Sequence, residues 1–289
     1  MIPTVDLKIS IVTPTFNGIA TLEETIESVL AQDYKIWEHI IMDGGSTDGT
    51  VALLQRYRHL KWVSEKDKGH YHAMNKGIDA ASGEVVAILN ADDCYREHTL
   101  SRVADAFARH PEWDALFGDV VYIDGEGQEI FRRAEAKYDY DVLRFGNYCY
   151  VVHPTLFVRK SVYQQIGAYQ YRKFLNSCDV DFILRLGQRG CRVGHIPHLL
   201  VNYRMHEYGQ SADRRVMLNT QRENFAIRKQ HGFPGGWRGK ALEIGARLKR
   251  QFHKLIYRGQ LDLIPGKWFL RKHMRDKTTF SSNIGVDKL

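Results

Sequence analysis

The chain has 289 residues, 44% of them apolar and 26% charged, with a formal net charge of +7. That apolar content supports a folded core and excludes a disordered tail protein, and the length fits about two domains, or one large α/β unit with an extension, at ~150 residues per domain. No apolar run approaches the ~20 residues of a bilayer span, and Met1 to Lys8 lack a secretory signal's basic and apolar regions, so a cytoplasmic chain is expected.

In chain order, residues 8–13 read as a strand ending at Pro14. Thr21-Leu-Glu-Glu24 has the S/T-x-x-E capping-box form and predicts a helix over 22–32. Residues 37–42 are a second strand closed by Asp43-Gly44-Gly45, followed by turn chemistry over 46–49 and a helix over 50–57. A short strand over 61–64 and a helix over 73–81, stopped by Ser82-Gly83, lead to the apolar strand 84–89, of the kind buried on both faces. A helix over 99–109 completes a βαβαβαβ rhythm, which argues for a parallel sheet with helices on both faces. The rhythm then changes. Residues 115–123 and 129–134 flank Asp124-Gly-Glu-Gly127 as a hairpin. Strands are expected over 151–158, 191–196 and 199–205, and helices over 179–189 and 216–230. Phe233-Pro-Gly-Gly236 is the best boundary. The predicted organisation is a unit over 1–232, with halves of about 1–112 and 113–232, and a basic helical extension over 233–289.

Charge is divided along the chain. From Gly236 to Leu289 there are 13 Lys+Arg and 4 Asp+Glu, a balance of +9, which leaves −2 for the first 235 residues. A near-neutral body argues against nucleic acid, and a basic tail suits an anionic surface. Leu242, Leu248, Phe252, Leu255 and Ile256 fall near one helical face, with Arg247, Lys249, Arg250 and Lys254 on others; Trp268, Phe269 and Leu270 then sit among Lys267, Arg271 and Lys272. Such a basic amphipathic segment can lie on anionic lipid, or pack on the body with its basic face in water. The four cysteines, Cys94, Cys149, Cys178 and Cys191, form no CxxC pair and read as reduced thiols.

Ligands of parallel α/β sheets bind beyond the carboxyl ends of the strands. Here Thr13-Pro14-Thr15, Asp43, residues 65–69 and residues 90–93 all gather at those ends. Asn90-Ala-Asp92-Asp93 follows the most apolar strand, where two carboxylates suit a divalent cation bound to a nucleoside diphosphate; a turn that caps the next helix is the ordinary alternative. Asp43 can accept the imide N–H of a uracil, or simply hold a tight turn. Asp179 in Asp179-Val-Asp181 opens a helix as a general base or as a cap beside the helix dipole. His206 is a candidate metal ligand or phosphate donor, or an ordinary loop histidine. Aromatics are dense from Phe145 to Phe174, including Tyr148, Tyr150, Tyr163, Tyr169 and Tyr171, and core packing accounts for most such residues.

Taken together, these segments resemble glycosyltransferase family 2, the inverting GT-A glycosyltransferases. The carrying residues are Ile11-Val-Thr-Pro-Thr-Phe-Asn17, Gln32-Asp-Tyr34, Met42-Asp-Gly-Gly-Ser-Thr-Asp-Gly-Thr50, Ser64-Glu-Lys-Asp-Lys-Gly69, Ala73-Met-Asn-Lys-Gly77, Gly83-Glu84, Leu89-Asn-Ala-Asp-Asp93, Asp179-Val-Asp181 and Tyr203-Arg-Met-His206, spread from Lys8 to Ser211. The resemblance implies a GT-A fold: an α/β, Rossmann-like, mainly parallel central sheet flanked by helices, with a mixed acceptor-side half. It implies a nucleotide-sugar donor, a UDP-sugar by preference. Thr13, Pro14, Thr15, Asp43, Asp67 and Asn90 would lie against that donor, Asp92 would hold Mn²⁺ or Mg²⁺ with help from His206 and Asp93, and Asp179 would be the catalytic base. The acceptor would be a glycan or a lipid-linked glycan in polysaccharide or glycolipid assembly, placing the chain in the cytoplasm or at the membrane's cytoplasmic face. The first position of the metal motif is Asn90 rather than Asp. His72 stands where many relatives carry Asp, and Cys178 precedes Asp179 where Glu is common. Two competing readings are a non-catalytic sugar- or lipid-binding subunit on the same fold, and a nucleotidyltransferase. The latter would need a Gly-rich, basic phosphate loop that Pro14-Thr-Phe-Asn17 does not supply.

Overall fold

The structure is a computed structural model that describes residues 6–146, 148–205 and 214–258. His206 and the Trp268-Phe269-Leu270 cluster lie outside the described residues. The first half runs β1 (Ile9–Thr15), α1 (Leu22–Leu30), β2 (Trp37–Asp43), α2 (Thr50–Leu54), β3 (Leu60–Ser64), α3 (His70–Ala80), β4 (Val85–Ile88), β5 (Cys94–Tyr95) and α4 (Thr99–Arg109). The second half follows with β6 (Ala115–Ile123), β7 (Glu129–Arg133), α5 (Tyr140–Phe145), a 3₁₀ turn (His153–Thr155), β8 (Phe157–Arg159), α6 (Lys160–Ile166), α7 (Cys178–Gln188), β9 (Val193–Arg204), α8 (Arg214–Gln230) and α9 (Gly236–Arg258).

Among the described residues one sheet runs in the order β3-β2-β1-β4-β8-β6-β9-β5, with β7 beside β6. Strands β3, β2, β1 and β4 are parallel, as are β6 and β9, while β8 runs antiparallel between β4 and β6. Strands β1 and β4 are buried along their whole length, because the period-2 alternation of side chains sends successive residues to cores on opposite faces of the sheet. Val12, Val86 and Ile88 face a core shared with Met74 and Ile78 of α3 and Phe182 of α7. Ile9, Ile11, Val85 and Ala87 face the opposite core, with Leu100, Val103 and Phe107 of α4.

Three expectations are corrected. Residues 151–158 do not form one strand. Pro154, which lacks an amide donor, sits in the 3₁₀ turn, and only Phe157–Arg159 pairs in the sheet. The two strands expected over 191–205 are one, β9, whose register against β6 shifts between the pairs Phe117↔His195 and Asp119↔Leu199; this irregularity accommodates Pro197. Thr21 and Glu24 do not form a capping box. The Thr21 hydroxyl donates to the Ala91 carbonyl at 2.8 Å, and Glu24 pairs with Arg204.

Candidate active site

The strand register sets the site. Thr15 lies opposite Asp43, and Asp43 opposite Ser64, so β1, β2 and β3 release their loops at one level. The Leu89 amide donates to the Val12 carbonyl at 3.0 Å, which brings residues 90–93 beside the end of β1. The loops after β1 and β2 are laced together. Asn17, in a left-handed conformation (φ 50°), donates its amide to Ser46 Oγ at 2.7 Å and accepts from the Thr47 amide at 3.0 Å. Asp48 accepts from the Ile19 amide at 3.0 Å. At Gly18 a Cβ would stand 2.4 Å from Thr15 Oγ1, so this close approach requires glycine.

Each predicted donor-side residue has a defined place. Thr13 is buried, its hydroxyl 3.0 Å from His39 Nε2. Burial, with some repulsion from His59, pushes His39 down to about 3, so the imidazole is neutral. Pro14 pairs with Met42 inside the sheet. Thr15 Oγ1 is buried without a hydrogen-bond partner. The Asp43 carboxylate is fully buried and accepts from the amides of Gly45 (3.2 Å) and Ser46 (3.0 Å), from Ser64 Oγ (2.5 Å) and from Ser46 Oγ. An imide contact at Asp43 therefore competes with two serine hydroxyls. Asp67 Oδ1 meets Lys76 Nζ at 2.6 Å and His72 Nδ1 at 3.1 Å, whereas its Oδ2 is buried with no partner. Two orphaned polar oxygens, Thr15 Oγ1 at the end of β1 and Asp67 Oδ2 in the loop after β3, are what a polar ligand would satisfy.

Asp92 and Asp93 diverge. Asp93 is buried, accepting from Asn90 Nδ2 at 2.9 Å and from the Arg204 amide at 3.0 Å. Burial, with Asp92 beside it, pushes its carboxyl well above the usual range. It faces inward and braces the turn, while Asp92 is half-buried. The buried Arg204 guanidinium locks this turn by donating to the carbonyls of Asp92 (3.1 Å) and Gly125 (2.9 Å) and pairing with Glu24. Sequence reasoning gave Arg204 no role, although an arginine ending an apolar strand needs buried acceptors, and that signal was available.

Asp179 and Asp181 also diverge. Asp181 is buried against Arg185 at 2.8 Å. Asp179 accepts instead from Tyr71 Oη at 2.7 Å, and Tyr71 opens α3 just beyond the Asp67 turn. Burial, followed by the Asp179 charge, holds the Tyr71 phenol well above its usual range, so it remains a donor. Burial likewise pushes the nearby His70 and His153 below the usual histidine value. Most of the aromatic cluster is core: Tyr150, Tyr163, Tyr169 and Phe174 are buried. Tyr171 is half-buried, its ring 4.9 Å from that of His72, and with Arg172 and Lys173 it borders a shallow cleft.

Comparisons with known proteins match this arrangement. The family model for glycosyl transferase family 2 matches residues 10–167. A PGL/p-HBAD biosynthesis glycosyltransferase of Mycobacterium bovis is 33% identical over 199 residues, 66% of this chain and 74% of the relative. Among solved structures, residues 1–349 of Staphylococcus aureus TarS in complex with UDP superpose with a TM-score of 0.60 at 19% identity, covering 85% of this chain and 72% of that fragment. The mannosyltransferase PcManGT of Pyrobaculum calidifontis, solved with GDP-Man and Mn²⁺, gives 0.61 at 18% identity, covering 94% of this chain and 81% of that one.

Proposed function

This chain belongs to glycosyltransferase family 2, has the GT-A fold and is a glycosyltransferase, and we propose that it transfers a sugar with inversion from a nucleotide-sugar, a UDP-sugar in our reading, to a hydroxyl of a glycan or lipid-linked acceptor. The observation that carries this reading is the Tyr71–Asp179 hydrogen bond at 2.7 Å, which holds a carboxylate of the second half against the strand-end loops of the first.

In this mechanism Thr15 and Asp67 offer their unpartnered oxygens to the nucleotide. Asp43 keeps the glycine-rich loop in shape and exchanges a serine hydroxyl for the imide of the base. Asp179 accepts the proton of the acceptor hydroxyl as its oxygen bonds to the anomeric carbon and the nucleoside diphosphate leaves from the opposite face. Asp92, held by the Thr21 and Arg204 contacts to its turn, would hold the divalent metal. Among the described residues no three His, Cys, Asp or Glu side chains converge on one point. A hard cation at Asp92 would complete its shell with phosphate oxygens of the donor. When bound, such a cation stabilises the charge developing on the leaving diphosphate.

Thermal unfolding with UDP, GDP, dTDP and CDP, each with and without Mn²⁺, tests the reading. A ligand at 100 times its Kd adds about 2.7 kcal/mol of stability. We expect UDP with Mn²⁺ to give the largest shift. Asp92→Ala should lose the metal-dependent part, and Asp179→Asn should keep the shift while transfer falls by at least about 10²-fold. A larger GDP shift would move the donor class. Near wild-type transfer by Asp179→Asn would remove the base assignment.

A further inference from the structure

Helix α9 is amphipathic the wrong way round. A surface helix ordinarily turns its apolar stripe to the core and its charges to water. Here the face packed on the body carries charge. Arg250 pairs with Glu135 at 2.6 Å, Arg258 pairs with Asp119, Lys249 meets Asp139 at 2.7 Å, and Lys254 is buried. Two of the basic residues that the sequence suggested for an anionic surface, Lys249 and Arg250, are thus engaged with the protein's own acids. On the opposite side, at helical spacing, Trp237 (76% exposed), Ile244 (60%), Leu248 (65%), Phe252 (59%) and Leu255 (47%) form one outward stripe. Exposed Arg238, Lys240 and Arg247 border it.

We propose that this outward stripe of α9 docks on an anionic lipid bilayer, lying in the interface with Arg238, Lys240 and Arg247 at the headgroups. Charge selects this occupant. A second copy of the chain would bring the same basic border against itself. Residues 259–289 carry six Lys+Arg against three Asp+Glu, a net charge of the same sign as that border. An apolar stripe between basic borders matches a surface that is apolar beneath and anionic above. No helix among the described residues is long and apolar enough to cross a membrane. The inference stands apart from the transferase reading.

The test is co-sedimentation of the full chain with phosphatidylcholine vesicles, with and without phosphatidylglycerol, at low and high salt. Binding should require phosphatidylglycerol and weaken with salt. Leu248→Glu/Phe252→Glu should lower partitioning by more than about tenfold, and Arg238→Gln/Arg247→Gln by about 30-fold. Both variants alter exposed positions, so their thermal unfolding and nucleotide-dependent shifts should match the wild type, which separates this result from failure of the donor site. No binding to anionic vesicles, equal binding to neutral ones, or binding unchanged in Leu248→Glu/Phe252→Glu would each overturn the proposal. So would a concentration-dependent dimer that the same variant abolishes.

Discussion

The Tyr71 hydroxyl reaches Asp179 across 108 residues of sequence. A hydrogen bond to a charged acceptor contributes about 1.5–3 kcal/mol, so its orientation of the carboxylate is worth about tenfold to hundredfold in turnover. Tyr71→Phe keeps the ring packed and removes only the donor. The expected outcome is a kcat lower by that factor with nucleotide affinity unchanged, checked by steady-state kinetics and nucleotide titration. An unchanged kcat would mean that other groups orient the base. At this scale the sequence yields the acidic residues and little of what steers them. Asp43, Asp92 and Asp179 stand out because carboxylates at the ends of apolar strands or at the start of a helix demand an explanation, whereas Asp67 is reached only through the family resemblance. Tyr71 and Ser64 do not stand out, because each acts on a residue far away in sequence, and for Arg204 the strand end signals a need for buried acceptors but not which ones. Nor does spacing separate Asp179 from Asp181: both open one helix, and only the fold shows that Asp181 is paired with Arg185.

Helix α3 carries Tyr71 at its start and meets β1 at Gly77, where a Cβ would lie 2.2 Å from Val12 Cγ1. The backbone of the helix therefore rests directly on the strand. Gly77→Ala should force α3 outward and destabilise the chain by about 1–3 kcal/mol, as overpacking does. Equilibrium denaturation should give a lower midpoint with an unchanged slope, and a wild-type midpoint would show that the interface yields without cost. Elements with a strong period were legible. The apolar run of β4 and the stripe of α4 fall where periodicity put them. Short elements were not. Helix α5 has 6 residues and α6 has 7, too few to display a period. Asp139, which accepts from the Val142 amide at 3.0 Å, was the available signal for α5.

For the molecule as a whole, the parallel first half followed from the alternation of strands and helices. The placement of β8 between β4 and β6 did not, since nothing local specifies an antiparallel insertion of 3 residues. The division of charge was also legible, but not its consequence. Asp119 and Glu135 are 3% and 1% exposed. Asp119 accepts from the Glu135 amide at 2.9 Å and lies 2.9 Å from His195 Nε2, while Glu135 meets Arg133 Nε at 2.6 Å. Two further partners, Arg258 and Arg250, come from α9. Removing one partner of a buried pair costs about 3–5 kcal/mol, because the other charge is left without compensation. A chain ending at Gly235 should therefore unfold at a clearly lower temperature than the full chain, even though the lost segment carries the net positive excess, +9 against −2 for the rest, and its removal relieves like-charge repulsion. Arg250→Gln/Arg258→Gln in the full chain should reproduce much of that loss while keeping the helix, which separates the ion pairs from the packing. If the shortened chain melts with the full one, the basic helix is a separable extension and the acids of the sheet are satisfied without it.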